Sequence, residues 1–248
     1  AIQSGSVDIS GGSLGMLSDQ QLKQDKKNKD LTIEDRPSTV SHFMAFNPDH
    51  KTLKDTKIRE AISKAINTNQ LSDQHMRGIF QKDGKPLSFN LVIQTAEFPN
   101  WKDKAEQVQD QLKKAGIELK IKTLDSQSYY DTLWTKKDFD LIFYRTYSDA
   151  LMPYNFMNSV FKNIDGKSGV LANDKVLSEK LDAYPKKINR DEQQQAMDDI
   201  FKHFNSSYYG VPIAYPNETF VTSHKIESFK FSGLTDAPID YKHLKVKQ

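Results

Sequence analysis

The 248-residue sequence contains no cysteine, which excludes disulfide bonds, thiolate metal sites and cysteine nucleophiles. It has no run near the roughly 20 apolar residues that a membrane-spanning helix needs. No signal peptide opens the chain, so the export signal of an exported protein is not in this sequence. A chain without cysteine fits the cytosol, and it fits equally an exported protein that folds without disulfides.

The sequence also has little excess charge of either sign. Its 35 Lys and Arg residues nearly balance 33 Asp and Glu residues, for a net charge of +2. A nucleic-acid binder needs a basic patch beyond its acidic content. The lysines of residues 23–29 alternate with Asp25 and Asp30, which predicts a solvated helix end. We therefore expect no nucleic-acid partner.

Motifs for metal binding and catalysis are missing as well. None of the histidines has the paired spacing of a zinc-binding helix, and there is no Gly-x-Ser-x-Gly elbow. The glycine-rich residues 11–15 lack the lysine and the spacing of a phosphate loop, which predicts a flexible turn. A metal held by histidines alone is not expected, although His42 lies in a predicted strand and His224 follows one. The histidines are His42, His50, His75, His203, His224 and His243.

Apolar periodicity predicts an α/β fold. Strands over 87–93, 117–123 and 141–144 alternate with helices over 101–115 and 129–135. This strand–helix series is typical of a parallel sheet flanked by helices. An alternating strand is predicted over 40–46, and the tail over 229–248 is polar and rich in turn residues. Further elements are predicted over 7–9, 31–34, 55–66, 174–184, 190–206, 211–215 and 220–222, and residues 18–21 predict the capped start of a short helix.

The most informative pattern is the end of the strand at 141–144. Arg145, Tyr147, Tyr154 and Asn155 follow it within eleven positions. Ligands of open α/β sheets lie beyond the carboxyl ends of strands, and arginine offers a planar fork for a carboxylate. We interpret these residues as a ligand-binding wall. The alternative is a structural arginine that pairs with Asp149 above packed aromatic residues.

Two rival functions remain open on the residues alone. One is a hydrolase that uses Asp138, Asp140 or Glu218, since paired carboxylates are typical of glycoside hydrolysis. Asp138 and Asp140 lie at the start of the strand, however, away from the wall, and no acid or base stands beside Arg145. This pattern favours binding over catalysis. The other rival is an interaction module with no small ligand.

Several segments resemble one family. Residues 57–67 (KIREAISKAIN) resemble a helix with the pattern VRQALSYAID, and residues 112–120 with 139–143 resemble an LKKIGI…FDL segment. Residues 209–215 (YGVPIAY) are similar to a late YLPISY strand. In this order they resemble the extracytoplasmic solute-binding proteins of peptide, nickel and opine ABC importers. The resemblance implies a periplasmic-binding-protein-like (type II) lobe with a central mixed sheet flanked by helices.

The segment Tyr144-Arg-Thr-Tyr147 with Pro153-Tyr154 looks most like the nickel-binding branch. The resemblance implies that the transported ligand is nickel held by a small chelator such as histidine, with Arg145 reading its carboxylates. It also implies that Thr235 lines the cleft. No resident cofactor and no enzymatic activity are expected. An oligopeptide is the alternative ligand. The implied partner is a membrane permease, and the implied location is periplasmic or that of a cell-surface lipoprotein.

The chain departs from this family in two ways. The family is roughly twice as long and has an N-terminal lobe with further binding arginines, and it carries some tens of residues where Phe80 and Gln81 adjoin here. We therefore expect residues 36–228 to form the C-terminal ligand-binding lobe. Residues 1–35 would belong or lead to the other lobe, and 229–248 would return to it. With half of a cleft, the chain should bind ligand weakly or not at all.

Overall fold

The structure, a computed structural model, describes residues 1–38, 40–67, 81–82, 85–146, 153–234 and 237–247. Its centre is a sheet in which the strands lie in the order β6-β5-β7-β3-β8, with β4 paired to the start of β5. These strands are β3 (His42–Phe46), β4 (Gln81–Lys82), β5 (Lys85–Gln94), β6 (Ile117–Leu124), β7 (Leu141–Arg145) and β8 (Gly210–Ala214).

The central sheet is mixed. Strand β5 runs parallel to β6 and β7, whereas β3 runs antiparallel to β7 and β8. The predicted fold class is confirmed, as is the parallel strand–helix series. The predicted alternation in β3 was wrong, because all five of its residues are buried. Helices cover both faces of the sheet, so neither face of this central strand meets water.

The helices are α1 (Asp19–Asp25), α2 (Thr56–Asn67), α3 (Trp101–Lys114), α4 (Ser126–Asp131), α5 (Pro153–Val160), α6 (Lys175–Ala183) and α7 (Arg190–Ser206). A π-helical segment, Thr132–Lys136, follows α4, and a 3-10 segment, Tyr184–Lys186, follows α6. Within the described ranges, no helix is long and apolar enough to cross a bilayer. Helix α3 is followed by its C-cap, Ala115, and by Gly116, whose φ of +87° is the left-handed conformation that glycine adopts without strain.

The two faces of the sheet are covered by different helices. On one face, Trp101 of α3 packs against His42 and Phe143, with Tyr129 of α4 beside it. On the other face, Phe43 packs against Phe156 of α5. Successive residues of a strand point to opposite faces, so the polar end of β7 also divides between these two helix layers.

A second, smaller sheet lies outside this unit. It comprises β1 (Ile9–Gly11), β9 (Asn217–Ser223) and β2 (Leu31–Pro37), all antiparallel and in that order. Residues 217–223, which we assigned to the lobe, thus pair with strands of the first 37 residues. The division of the chain into lobe and returning segments stays a prediction.

The polar tail is more regular than its composition indicated. Strands β10 (Ile226–Phe231) and β11 (Ile239–Val246) form an antiparallel hairpin. Phe229 and Phe231 lie 5.8 and 5.5 Å from the ring of Phe220 in β9, measured between ring centroids. This packing explains the hairpin, because a few apolar residues suffice when one face of a strand pair is covered.

Candidate functional site

Three polar residues meet at one edge of the central sheet because of its register. The parallel strands β5 and β7 end at the same edge, where Gln94 and Arg145 are their last residues. Strand β3 runs the opposite way, so its first residue, His42, pairs directly with Arg145. Directly paired residues of antiparallel strands project from the same face, and here that face carries α3 and α4.

His42 is held in one tautomer. The indole Nε1–H of Trp101 donates a hydrogen bond to its Nδ1 at 3.0 Å, and an indole nitrogen can only donate. The ring proton of a neutral His42 therefore lies on Nε2. Burial, and then the positive charge of Arg145, lowers the pKa of His42 to about 4. His42 is only 4% exposed and is neutral near pH 7.

A fixed carboxylate lies beside this pair. Glu97 Oε2 accepts hydrogen bonds from the hydroxyl of Tyr130 at 2.7 Å and from Nε2 of Gln94 at 2.6 Å. The amide of Glu97 donates in turn to Oε1 of Gln94 at 2.9 Å. Burial, and then the bond to Glu97, raises the pKa of Tyr130 to about 12, while the nearby charge of Arg145 opposes this rise. The strand-end cluster, defined as His42, Gln94, Glu97, Tyr130 and Arg145, thus carries both signs of charge.

Backbone contacts fix the base of Arg145 at this edge. The amide of Thr146 donates to the carbonyl of Ser41 at 2.9 Å, and the amide of Ser41 donates to Oγ1 of Thr146 at 2.9 Å. Arg145 is half-buried, and its Cζ lies 5.3 Å from the centre of the Tyr144 ring. The guanidinium therefore starts from a rigid strand end and not from a loop.

Two cavities open at this edge, and both have His42 and Tyr215 in their walls. Tyr215 follows β8 and is 76% exposed, which is unusual for so large a ring. The apolar cavity, of about 280 Å³, lies on the Phe43 side and is lined largely by Phe43, Phe156, Met157, Phe161, Phe201, Phe204 and Pro212. The second cavity, of about 340 Å³, lies against the start of α3. The sheet edge thus has an apolar cavity on one face and, on the other face, a cavity lined by both polar and apolar residues.

The residues predicted to bind ligand do not all come together. Arg145 joins the strand-end cluster. Tyr154 instead stacks on Tyr184 with centroids 4.8 Å apart, and its hydroxyl lies 3.4 Å from Oδ1 of Asn158. Asn155 is exposed on α5. Tyr147, Asp149 and Thr235 fall outside the described residues, so the roles of all of these residues stay predictions.

The carboxylates of the rival hydrolase reading lie in separate places. Asp140 is at the start of β7, the opposite edge from Arg145, where its Oδ2 accepts the amide of Asn90 at 2.8 Å. Glu218 belongs to the smaller sheet, is 2% exposed, and is bonded to Arg36 and to the hydroxyl of Ser13. These partners give both residues structural roles.

Sequence reasoning missed Gln94, Glu97 and Tyr130. The signal for Gln94 was present, since it ends a predicted parallel strand in the same way as Arg145. Glu97 and Tyr130 carried no such signal, because their meeting depends on how α4 packs beside β5. Across the described ranges, no group of three or more His, Asp or Glu side chains could hold a metal ion.

Comparison with known families gives a match over residues 1–91 and 78–168, which together cover 1–168. The matching family is the bacterial extracellular solute-binding proteins, family 5 (Middle). No curated protein sequence matches the chain.

Solved structures share the fold at low sequence identity. NikA from Staphylococcus aureus in complex with nickel and L-histidine has 17% identity and a TM-score of 0.79 over 99% of this chain. AppA from Bacillus subtilis, bound to a nonapeptide, has 17% identity and a TM-score of 0.80 over 100% of it. DppA from Helicobacter pylori, bound to the peptide STSA, has 14% identity and a TM-score of 0.80 over 100%. The chain spans only 59%, 57% and 54% of these three proteins.

Proposed function

We propose that this chain forms one wall of the ligand cleft in the solute-binding component of an ABC importer, since it belongs to the bacterial extracellular solute-binding proteins, family 5. The family description and the names of the similar structures are those of binding and transport proteins. The proposed role is therefore capture without catalysis, in an extracytoplasmic location, with delivery to a membrane permease. A periplasmic protein and a cell-surface lipoprotein are both compatible with it.

The observation that carries this proposal is the strand-end cluster. Arg145 and Glu97 both act on the hydroxyl of Tyr130, so a guanidinium and a carboxylate lie near one phenol. A zwitterion such as a free amino acid presents the complementary pair, a carboxylate for Arg145 and an amine for Glu97. Charge-assisted hydrogen bonds of this kind are about twice as strong as neutral ones.

Within the family, we propose that the ligand is nickel held by amino-acid chelators such as histidine. The chelator then supplies the donors to nickel, and the protein recognises the chelator. The Staphylococcus aureus NikA structure, which contains nickel and L-histidine, supports this choice as an analogy of fold. Arg145, Tyr147, Tyr154, Asn155 and Thr235 are the proposed ligand-binding residues of this wall.

A short peptide is the second candidate, and the apolar cavity favours it. A space of about 280 Å³ lined by phenylalanines would accept an apolar side chain of a peptide, whereas a nickel–histidine complex has no such group. The similar AppA and DppA structures contain peptides. The two candidates therefore differ in which face of the sheet edge they occupy.

The chain would supply this wall alone. It spans 59% of the Staphylococcus aureus NikA chain, and the family match consists of two segments that overlap at residues 78–91. This is the place where the resemblance puts a missing stretch, between Phe80 and Gln81. A ligand held between two lobes stabilises the closed state by bridging them. We therefore expect dissociation constants in the millimolar range for the chain itself.

Nuclear magnetic resonance of the ¹⁵N-labelled chain can detect such weak binding. We would titrate it with nickel and L-histidine, with nickel alone, and with the peptide Ala-Phe-Ala. A bound nickel–histidine complex, being paramagnetic, should broaden the amide signals of Ser41, His42 and Thr146 but not that of Asn90 at the opposite edge. The peptide should instead shift the signals of Phe156 and Phe204 beside the apolar cavity.

The outcomes separate the candidates. If nickel alone broadens the amide signals as much as nickel with histidine does, recognition of a chelate is refuted. Binding of neither ligand at 20 mM would refute the millimolar affinity that we propose for this wall. Turnover of a peptide or glycoside substrate would revive the hydrolase.

A further inference from the structure

The second cavity, of about 340 Å³, lies on the face of the sheet that carries Arg145. Its walls are His42 and Tyr215 from the sheet edge and the loop and first turn of α3, including Phe98 and Lys104. Phe98 and Trp101, which both line the cavity, stack with centroids 4.3 Å apart, so this wall is aromatic. No Asp or Glu is among its described lining residues.

His42, which lines this cavity, has an unused hydrogen-bond donor. Its Nδ1 accepts the proton of Trp101, so the ring offers Nε2–H, and Nε2 is buried without a hydrogen-bond partner in the described part of the chain. A buried donor that is left unsatisfied is destabilising. An acceptor brought by a ligand would remove this destabilisation.

The start of α3 adds positive potential. Its N-cap residue, Asn100, makes no capping hydrogen bond with its side chain, because that side chain pairs with Asp19 at 3.1 Å. The positive end of the helix dipole is therefore not satisfied by a side-chain cap. Lys104, in the first turn, is a cation in the cavity wall. Two carboxylates oppose this potential, Asp103 in the same turn and Asp19 beside Asn100, but both are exposed and lie outside the cavity lining.

We propose that this cavity is a subsite for a carboxylate carried on a flat apolar group, with Nε2–H of His42 as its hydrogen-bond donor. The carboxylate meets the donor, the start of α3 and Lys104, while the aromatic wall packs against the apolar part. The inference rests on the proposed function in that it names the chemistry of a ligand at the same sheet edge. The proposal adds His42 to the residues that recognise the charge of the ligand.

The same geometry argues against His42 as a nickel ligand. Coordination by a neutral imidazole through Nε2 requires a lone pair there, and the ring proton would have to move to Nδ1. It would then face the indole N–H of Trp101, donor against donor, at 3.0 Å. His42 is thus built to recognise the organic part of a ligand and not its metal.

Benzoate and benzamide are matched probes, because they share a ring and differ in charge. We would record ¹H–¹⁵N correlations of the imidazole and indole groups in the ¹⁵N-labelled chain. The expected spectrum shows the Nε2–H tautomer of His42. Benzoate should move its Hε2 signal downfield and shift the indole signal of Trp101, with an affinity at least five-fold above that of benzamide.

Variants provide an independent arm. His42→Phe should weaken benzoate binding at least five-fold, and His42→Gln, which keeps an amide donor, should recover part of it. His224→Phe is the matched control, since His224 is exposed in the turn after β9 and should leave binding unchanged. Equal affinity for benzoate and benzamide in the unaltered chain would overturn the proposal even if no variant folds. So would benzoate binding that leaves the His42 and Trp101 signals in place.

The benzoate experiment and the nickel–histidine experiment test separate proposals. If benzoate binds through His42 while nickel with histidine does not bind, the subsite stands and the nickel proposal fails. If nickel with histidine broadens the edge while benzoate leaves His42 unaffected, the nickel proposal stands and the subsite fails.

Discussion

The indole Nε1–H of Trp101 donates to Nδ1 of His42 at 3.0 Å, which joins the first residue of helix α3 to the first residue of the central strand β3. The bond fixes the tautomer of the imidazole and holds the helix start against the sheet edge. Since His42 also pairs with Arg145 across the sheet, one contact orders both the cavity wall and the neighbour of the guanidinium.

The first prediction concerns pH. The pKa of His42 is about 4 in the folded chain and 6.5 ordinarily, so the unfolded chain binds the extra proton first as pH falls. Its contribution to stability is therefore present above pH 6.5 and is lost as pH falls toward 4. Between pH 7.5 and 4.5, the unaltered chain should lose about 2–3 kcal/mol more unfolding free energy than His42→Gln. Urea unfolding at both pH values measures this difference, and equal losses would contradict it.

The second prediction concerns the strand-end guanidinium. Arg145→Ala should raise the dissociation constant for a carboxylate ligand more than ten-fold, because the charge-assisted contact is lost. Isothermal titration calorimetry of the intact protein, or an NMR titration of this chain, measures the dissociation constant. Arg190→Ala, at the exposed start of α7, is the control. An unchanged affinity would remove Arg145 from the ligand wall.

The third prediction concerns a buried arginine outside the site. Arg59 of α2 is 4% exposed and donates to the carbonyls of Ser207 at 2.9 Å and Lys54 at 2.9 Å. Arg59→Met should lower the free energy of unfolding by about 3 kcal/mol, because both carbonyls lose their donor. Lys57→Ala, on the exposed side of the same helix, should change it by less than about 0.5 kcal/mol. Thermal unfolding of both variants measures these changes, and equal stability of the two variants would contradict the prediction.

The fourth prediction compares adjacent glycines. Gly11 and Gly12 have φ values of +120° and +124°, so alanine is strained at either position. A Cβ on Gly11 would lie 2.1 Å from the carbonyl oxygen of Thr219, whereas one on Gly12 would meet nothing closer than 3.5 Å. Gly11→Ala should therefore destabilise the chain by at least about 2 kcal/mol more than Gly12→Ala. The urea midpoints of the two variants measure this difference. Equal midpoints would show that the smaller sheet shifts to relieve the clash at Gly11.

Elements with strong local signals were predictable. The helix over Arg190–Ser206 has the predicted bounds, and Asn189 caps it through a hydrogen bond to the amide of Asp191. The start of α1 after Ser18 follows the same logic, since the Ser18 hydroxyl accepts the amide of Gln21. Capping and periodicity act within a few residues, so they can be read without knowing the fold.

Elements stabilised by distant contacts were harder to predict from the sequence. The β10–β11 hairpin has an exposed polar face, and its phenylalanines find their partner, Phe220, on another strand. Strand β3 was expected to alternate, yet Met44 and Ala45 are both fully buried. In both cases the tertiary partner, and not the local pattern, determines burial.

The sequence by itself determined the α/β class, the family resemblance and the placing of Arg145 at a strand end, because each rests on local periodicity or on short motifs. Only the tertiary structure decided that Glu97, Tyr130 and His42 join Arg145, and that Trp101 fixes the tautomer of His42. These residues are far apart along the chain, and strand register and helix packing bring them together. Register depends on the burial of whole strands, which no short window of sequence contains.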